Sequence, residues 1–308
     1  MSFAFFFAGQ GSQSLNMMNG FEHIAVVKET FEQASQVLQQ DLWAMINGSD
    51  SDLIAQTVNT QPIMLAAGVA TYRAYLQAGG VAPNVVAGHS LGEYTALVVA
   101  GSLKFEDAVQ LVRKRAQLMQ NAVPQGEGAM AAILGLDDDK VREICAVAEQ
   151  GDVVEAVNFN SQGQVVIAGN AAAVERAMTA AKAAGAKRAL PLPVSVPSHC
   201  RLMKPAAEQL ALALQNVDIA TPQIRVIHNV DVASHSQADE IKDALVRQLY
   251  SPVRWTETVQ LLANEGYTRT AECTPNKVLA GLAKRIDNRV SCAALVSQEA
   301  VEAFIRGE

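Results

Sequence analysis

The pentapeptide Gly88-His89-Ser90-Leu91-Gly92 constrains the fold of this chain more than any other stretch, because of what stands on either side of it. The apolar run Val85-Val86-Ala87 precedes it and the helix-like stretch Glu93 to Ala100 follows, so the serine falls on a strand-to-helix turn. Small neighbours permit the tight backbone kink such a turn imposes, and the kink pushes the hydroxyl out of the fold. Unpaired N–H groups at the helix start lie beside that hydroxyl. Strand, turn and helix together would supply a nucleophile and the dipoles that stabilise an oxyanion; the plain alternative is a glycine-rich connection.

The rest of the chain has the pattern such a turn needs. Apolar strand-like runs at Phe3 to Phe7, Val85 to Ala87, Ile224 to Ile227 and Thr268 to Ala271 alternate with helix-length amphipathic segments, which argues an α/β fold with a largely parallel sheet. Gly128 to Leu190 reads differently. There a strand (129–134), a helix (137–149), two strands (153–157, 165–168), a helix (171–184) and a last strand (187–190) follow one another. That βαββαβ order is ferredoxin-like. Breaker-rich connections at Pro124-Gln125-Gly126 and Pro191-Leu192-Pro193 bound it. The expected organisation is an α/β-hydrolase-like large subdomain, 1–125 and 193–308, interrupted by a ferredoxin-like small subdomain, 126–192.

Composition removes several function classes. With 308 residues, half of them hydrophobic, the chain can bury a large core. A net charge of −7 and no basic run longer than Arg113-Lys114-Arg115 argue against nucleic acid as a partner. The opening run Phe3 to Ala8 lacks a basic start and turns polar at Gln10, so it reads as a buried strand; no apolar stretch approaches the roughly 20 residues of a membrane span. Cys145, Cys200, Cys273 and Cys292 are widely spaced, which suggests neither a zinc site nor a disulfide framework and fits a reducing cytoplasm.

A serine nucleophile needs a base, and the candidates are His23, His89, His199, His228 and His235. His89 adjoins Ser90, where side chains diverge; His23 is placed in a polar early helix; His228 sits in an apolar run as a core or strand-end histidine. His199 follows the breaker-containing segment Val194-Ser195-Val196-Pro197-Ser198 and is the better candidate, with a solvent-facing loop histidine as the alternative. No acidic residue stands out as a third member; a carbonyl or amide oxygen can orient an imidazole equally well. Helical periodicity over Phe105 to Ala122 turns Arg115 toward the apolar face of Ala108, Leu111, Val112, Leu118 and Met119. An inward guanidinium meets either an internal carboxylate or the anionic group of a ligand, gripped by two parallel bonds. The segment Gly9-Gln10-Gly11 leaves the first strand as a loop able to bring a second oxyanion donor, or as an ordinary turn. Cys200 beside His199 reads as packing, and Glu93 as a partner of the helix dipole.

Taken in order, Gly9-Gln10-Gly11-Ser12-Gln13, Gly88-His89-Ser90-Leu91-Gly92-Glu93, Arg115, Asn158-Phe159-Asn160 through Gly169, Val196-Pro197-Ser198-His199-Cys200 and Tyr250-Ser251-Pro252-Val253-Arg254-Trp255 resemble the malonyl-CoA:acyl carrier protein transacylases, nearly end to end. The resemblance implies that Ser90 carries the acyl group, His199 is its base and acid, and Arg115 binds the malonyl carboxylate. It maps the oxyanion hole to the backbone N–H groups of Gln10 and Leu91, and gives the main-chain carbonyl of Gln248 the task of orienting the histidine. It implies a ping-pong transfer from malonyl-CoA to the phosphopantetheine thiol of acyl carrier protein, in fatty acid synthesis, without cofactor or metal; the expected setting is the cytoplasm, as the cysteines suggest, and a monomer is the default. A serine hydrolase or thioesterase on acyl-CoA uses the same elbow, and a non-catalytic carrier-binding module would share the fold. The chain departs from the family where Ala8 and Gln162 replace prolines, and where Cys273-Thr274-Pro275-Asn276 replaces a Gly-Pro-Gly turn.

Overall fold

The computed structural model describes residues 2–194 and 196–308, so Ser195 of the segment before His199 lies outside the described residues. Among the described residues nine strands fall in two sheets: β1 (Ala4–Phe7), β2 (Val85–Gly88), β3 (Gly128–Leu134), β4 (Val154–Ser161), β5 (Gln164–Asn170), β6 (Arg188–Pro191), β7 (Arg225–Ile227), β8 (Arg269–Glu272) and β9 (Ser291–Ala294). The first sheet is parallel, in the order β7-β2-β1-β8-β9. β1 and β2 are buried at every position, as strands covered on both faces must be. From β1 the chain moves to β2 and β7 on one side and returns to β8 and β9 on the other. The direction of strand order therefore reverses at β1, and a ligand crevice is expected beyond the carboxyl ends of the strands around it. The register pairs Phe7 with Gly88, which sets the Gly9 loop against the serine turn.

The second sheet is antiparallel, in the order β4-β5-β3-β6, with the helices Asp138–Ala148 and Ala171–Ala183 on one face. This is the ferredoxin-like unit expected from the βαββαβ pattern, and it has an apolar core of its own, with Ile133, Val141, Val165 and Val174 at its centre. Its other face places Met130, Val157, Val166 and Ala168 against Cys200. Two backbone bonds stitch β4 to the rest of the chain: Phe159 N–H donates to Val253 O at 3.0 Å, and Val253 N–H donates to Val157 O at 2.8 Å. The small sheet is thereby held over the carboxyl ends of the large one.

Among the described residues no helix is long and apolar enough to cross a membrane. The helix Thr57–Gln77 is buried along most of its length and packs on the helices Ala25–Leu38 and Phe105–Asn121. The departures at Ala8 and Thr274 belong together: the Ala8 N–H, which a proline would lack, donates to the Thr274 hydroxyl at 3.1 Å.

Candidate active site

Ser90 sits at the end of β2 with φ of 52°, in the left-handed region that a side chain enters only at a cost. Its neighbours show why they are glycine. A Cβ on Gly88 would lie 1.9 Å from the carbonyl carbon of Gly92, and one on Gly92 would lie 2.0 Å from the Phe7 oxygen. Asn229, just beyond β7, staples the turn: its Oδ1 accepts the Ser90 N–H at 2.7 Å and its Nδ2 donates to Gly88 O at 2.6 Å. The helix Gly92–Val99 starts immediately after.

Since the Ser90 N–H is engaged, the next donor is that of Leu91. Among the described residues neither Leu91 N–H nor Gln10 N–H has a hydrogen-bond partner. Gly9 brings the second loop close, for a Cβ there would stand 2.5 Å from His89 O and 3.5 Å from Leu91 N. The Gln10 side chain is tied down by the Thr57 hydroxyl, which donates to its Oε1 at 2.8 Å.

His199 faces the serine, with Nε2 2.7 Å from Ser90 Oγ and Nδ1 2.8 Å from the Gln248 carbonyl. A carbonyl only accepts, so Nδ1 carries the hydrogen and Nε2 presents its lone pair to the hydroxyl. The imidazole is buried, 3% exposed, which corrects the alternative of a solvent-facing loop histidine. Burial pushes its pKa down to about 3, with Arg115 adding to the shift and the Gln248 carbonyl opposing it. The ring is therefore neutral at neutral pH, with the Nε2 lone pair free to take a proton.

Arg115 is 1% exposed on the helix Phe105–Asn121. Its guanidinium donates to Gln61 Oε1 at 2.8 Å, to Gln248 Oε1 at 3.0 Å and to Ser90 Oγ at 3.3 Å. None of these partners is a carboxylate, so the alternative of an internal ion pair through Arg115 is not realised. Burial disfavours its charge, while Tyr94, whose ring centroid is 5.5 Å from the guanidinium carbon, and Glu93 favour it. The result is a buried cation held by neutral oxygens beside the serine, facing a cleft of about 660 Å³. That cleft is walled by Ser90, His199 and Arg115 on one side and by Met130, Asn158 and Leu192 of the small unit on the other.

None of the remaining histidines hydrogen-bonds the serine hydroxyl. His89 turns away to Asn160 Oδ1 at 2.8 Å. His23 is exposed, in a turn after the short 3-10 helix Asn19–Phe21 and not in a helix as expected. His235 pairs with Asp231. His228 is buried as a core histidine, with Nδ1 2.7 Å from Glu93 Oε1. That contact corrects the expectation for Glu93, whose carboxylate turns inward and not to the start of its own helix. Cys200 is buried and donates to Pro197 O, and burial pushes its thiol up to about 12, which fits packing. Asn229, Gln61 and Thr57 escaped the sequence reading, because nothing local separates them from ordinary polar residues.

Residues 4–304 match the acyl transferase domain family. The chain is 54% identical to the malonyl CoA-acyl carrier protein transacylase of Haemophilus influenzae, over 98% of this chain and 99% of that one. It is similar to the crystal structure of an acyl-carrier-protein S-malonyltransferase from Burkholderia pseudomallei, with a TM-score of 0.97 and 56% identity over 99% and 100% of the two chains. A malonyl-transacylase solved in complex with its type II acyl-carrier protein superimposes with a TM-score of 0.98 and 50% identity, each chain covered completely at 100%. With the matching domain spanning the chain and relatives of this similarity covering it nearly end to end, the chain belongs to the malonyl CoA-acyl carrier protein transacylase family.

Proposed function

We propose that the protein transfers the malonyl group from malonyl-CoA to the phosphopantetheine thiol of acyl carrier protein, through an ester on Ser90, and so supplies fatty acid synthesis. His199 Nε2 takes the hydroxyl proton as Ser90 Oγ attacks the thioester carbonyl. The oxyanion forms toward the N–H groups of Gln10 and Leu91, whose free state supports this assignment. Collapse expels the coenzyme A thiolate, and His199 returns the proton to it. The carrier thiol then repeats the steps in reverse order, giving up its proton to His199 and leaving with the acyl group. Gln248 holds the imidazole through its main-chain carbonyl.

The observation that carries the reading is Arg115, a buried guanidinium without a carboxylate partner, 3.3 Å from the attacking oxygen. A malonyl carboxylate satisfies it with two parallel charged bonds, which a neutral acyl group does not offer. We further assign residues 126–192 as an inserted small subdomain, since they hold the second sheet and a core of their own. The reading extends to a cytoplasmic monomer that needs no cofactor.

The test is intact-protein mass after brief mixing with malonyl-CoA, with acetyl-CoA in parallel, followed by a chase with phosphopantetheinylated carrier. A malonyl adduct that the carrier removes, and that Ser90→Ala abolishes, is expected. Coenzyme A release without an adduct would mean hydrolysis. Neither adduct nor release would mean a binding module.

A further inference from the structure

Glu93 takes part in none of these steps, yet its carboxylate is fully buried directly behind the reacting serine. Its Oε2 accepts two bonds of 2.9 Å, from the backbone N–H of Asn229 and from Nε2 of Gln248, while Oε1 faces Nδ1 of His228. Each residue held by Oε2 touches the reacting groups. Asn229 ties both sides of the serine turn, at Ser90 N and Gly88 O. Gln248 donates to Ser90 O, accepts from Arg115, and holds His199 through its carbonyl. An amide could rotate by half a turn and offer Arg115 its NH2 in place of its oxygen; a carboxylate behind Nε2 forbids that rotation, because it accepts and never donates.

We propose that Glu93 is a positioning residue for acyl transfer, whose Oε2 locks Asn229 and Gln248 in one arrangement so that the serine turn, the imidazole and the guanidinium stay in register. The proposal rests on the assignment of Ser90 and His199 as the acylating pair. It differs from the binding of malonate by Arg115 in a measurable respect: losing Glu93 slows acylation by any acyl group, since Ser90 and His199 serve them all.

The geometry also separates two substitutions. In Glu93→Gln the amide oxygen takes the place of Oε2 and keeps both bonds, while its NH2 faces a His228 that moves its hydrogen to Nε2. Glu93→Leu keeps neither bond. Hydrogen bonds to a charged group are roughly twice as strong as neutral ones, so leucine, which keeps neither bond, should cost more than glutamine, which keeps both in neutral form.

The experiment measures the rate of the Ser90 adduct by rapid mixing and intact mass, with malonyl-CoA and with acetyl-CoA, in wild type, Glu93→Leu, Glu93→Gln, Gln248→Met and the double variants. Glu93→Leu should acylate at least about 30-fold more slowly with both donors, and Glu93→Gln should recover about tenfold of that loss. In the Gln248→Met background, replacing Glu93 with Leu should cost at least about threefold less than it does in the wild type, because one of the two residues it acts through is already gone. Fully multiplicative losses, a loss confined to malonyl-CoA, or an unchanged Glu93→Leu would each overturn the proposal. Should Glu93→Leu fail to fold, the same cycle with Glu93→Gln decides: a smaller loss, about threefold, that shrinks in Gln248→Met supports the proposal, and one of the same size there overturns it. A wild type that forms no Ser90 adduct overturns the acyl-enzyme reading and this proposal with it; a labelled wild type with an unaffected variant overturns the proposal alone.

Discussion

A buried cation with only neutral partners is an unfinished interaction, and Arg115 shows what completes it. The guanidinium lies against Ser90 Oγ, Gln61 and Gln248, all of which give weaker bonds than a carboxylate would. Replacing Arg115 with Ala should lower kcat/KM for malonyl-CoA by about 100-fold, the equivalent of two charged bonds partly lost, and raise the acetyl-to-malonyl ratio, since the acetyl group leaves the cation unsatisfied in the wild type. Steady-state rates with both donors check this; equal losses would refute it. The same cation acts on His199. With burial and Arg115 both holding the imidazole down at about 3, the acidic limb of kcat/KM, which reports the free enzyme, should lie well below the ordinary histidine value of about 6.5. Removing the positive charge raises a histidine's pKa, so with acetyl-CoA the limb of Arg115→Ala should move to higher pH than that of the wild type.

Elements fix these residues by their ends. β1 and β2 each finish in a glycine turn, and the Phe7 to Gly88 register sets the two turns side by side. This arrangement was legible in the chain, because Gly9-Gln10-Gly11 and Gly88 to Gly92 each follow an apolar run. The inward direction of Arg115 was legible too, from spacing on one helix. What could not be read was its surroundings: Gln61 comes from another helix and Gln248 from the end of Ala238–Gln248, and no local pattern announces a contact across 54 or 133 positions. Asn229 is of the same kind, joined to the serine turn only through the pairing of β7 with β2. The turn after β8 illustrates how such distant choices compensate. Thr274 gives the buried Ala8 N–H an acceptor, so Thr274→Val, similar in shape but without the oxygen, should destabilise the fold by about 1 to 3 kcal/mol. Chemical denaturation with an unchanged slope would measure it, and a change below a few tenths would refute the assignment.

At the scale of the molecule, two sheets with separate cores close on one cleft. The βαββαβ unit was readable from its periodicity, with boundaries within a few residues; β9 at the sheet edge was not, because the short, half-buried Ser291–Ala294 carries no distinct apolar pattern. Folding both units into one body leaves ionisable groups buried on each side of β1, and they pull stability in opposite directions with pH. His199, neutral in the fold down to about 3, makes folding lose stability as pH falls below about 6.5, because the unfolded chain takes up a proton that the native state refuses. Glu272 works the other way. It is fully buried behind the start of the helix Val278–Ile286, and burial raises it to about 7 against the N–H groups of Ala280, Leu279 and Val278, so the native state binds a proton first as pH falls from about 7 toward the usual 4.5. Its contribution is fully present below the unfolded value and lost as pH rises through 7. Between pH 7 and 4.5 the two effects offset each other, and below 4.5 the gain from Glu272 is complete while the histidine's loss goes on growing toward about 3. Glu272→Gln removes the gain while keeping an acceptor for the helix start. Its melting temperature should therefore drop below that of the wild type progressively from pH 7 to 4.5, with the gap constant at lower pH. Parallel melting curves for the two proteins would expose an error at once, since a gap that narrows on acidification means the carboxyl is ionised in the fold.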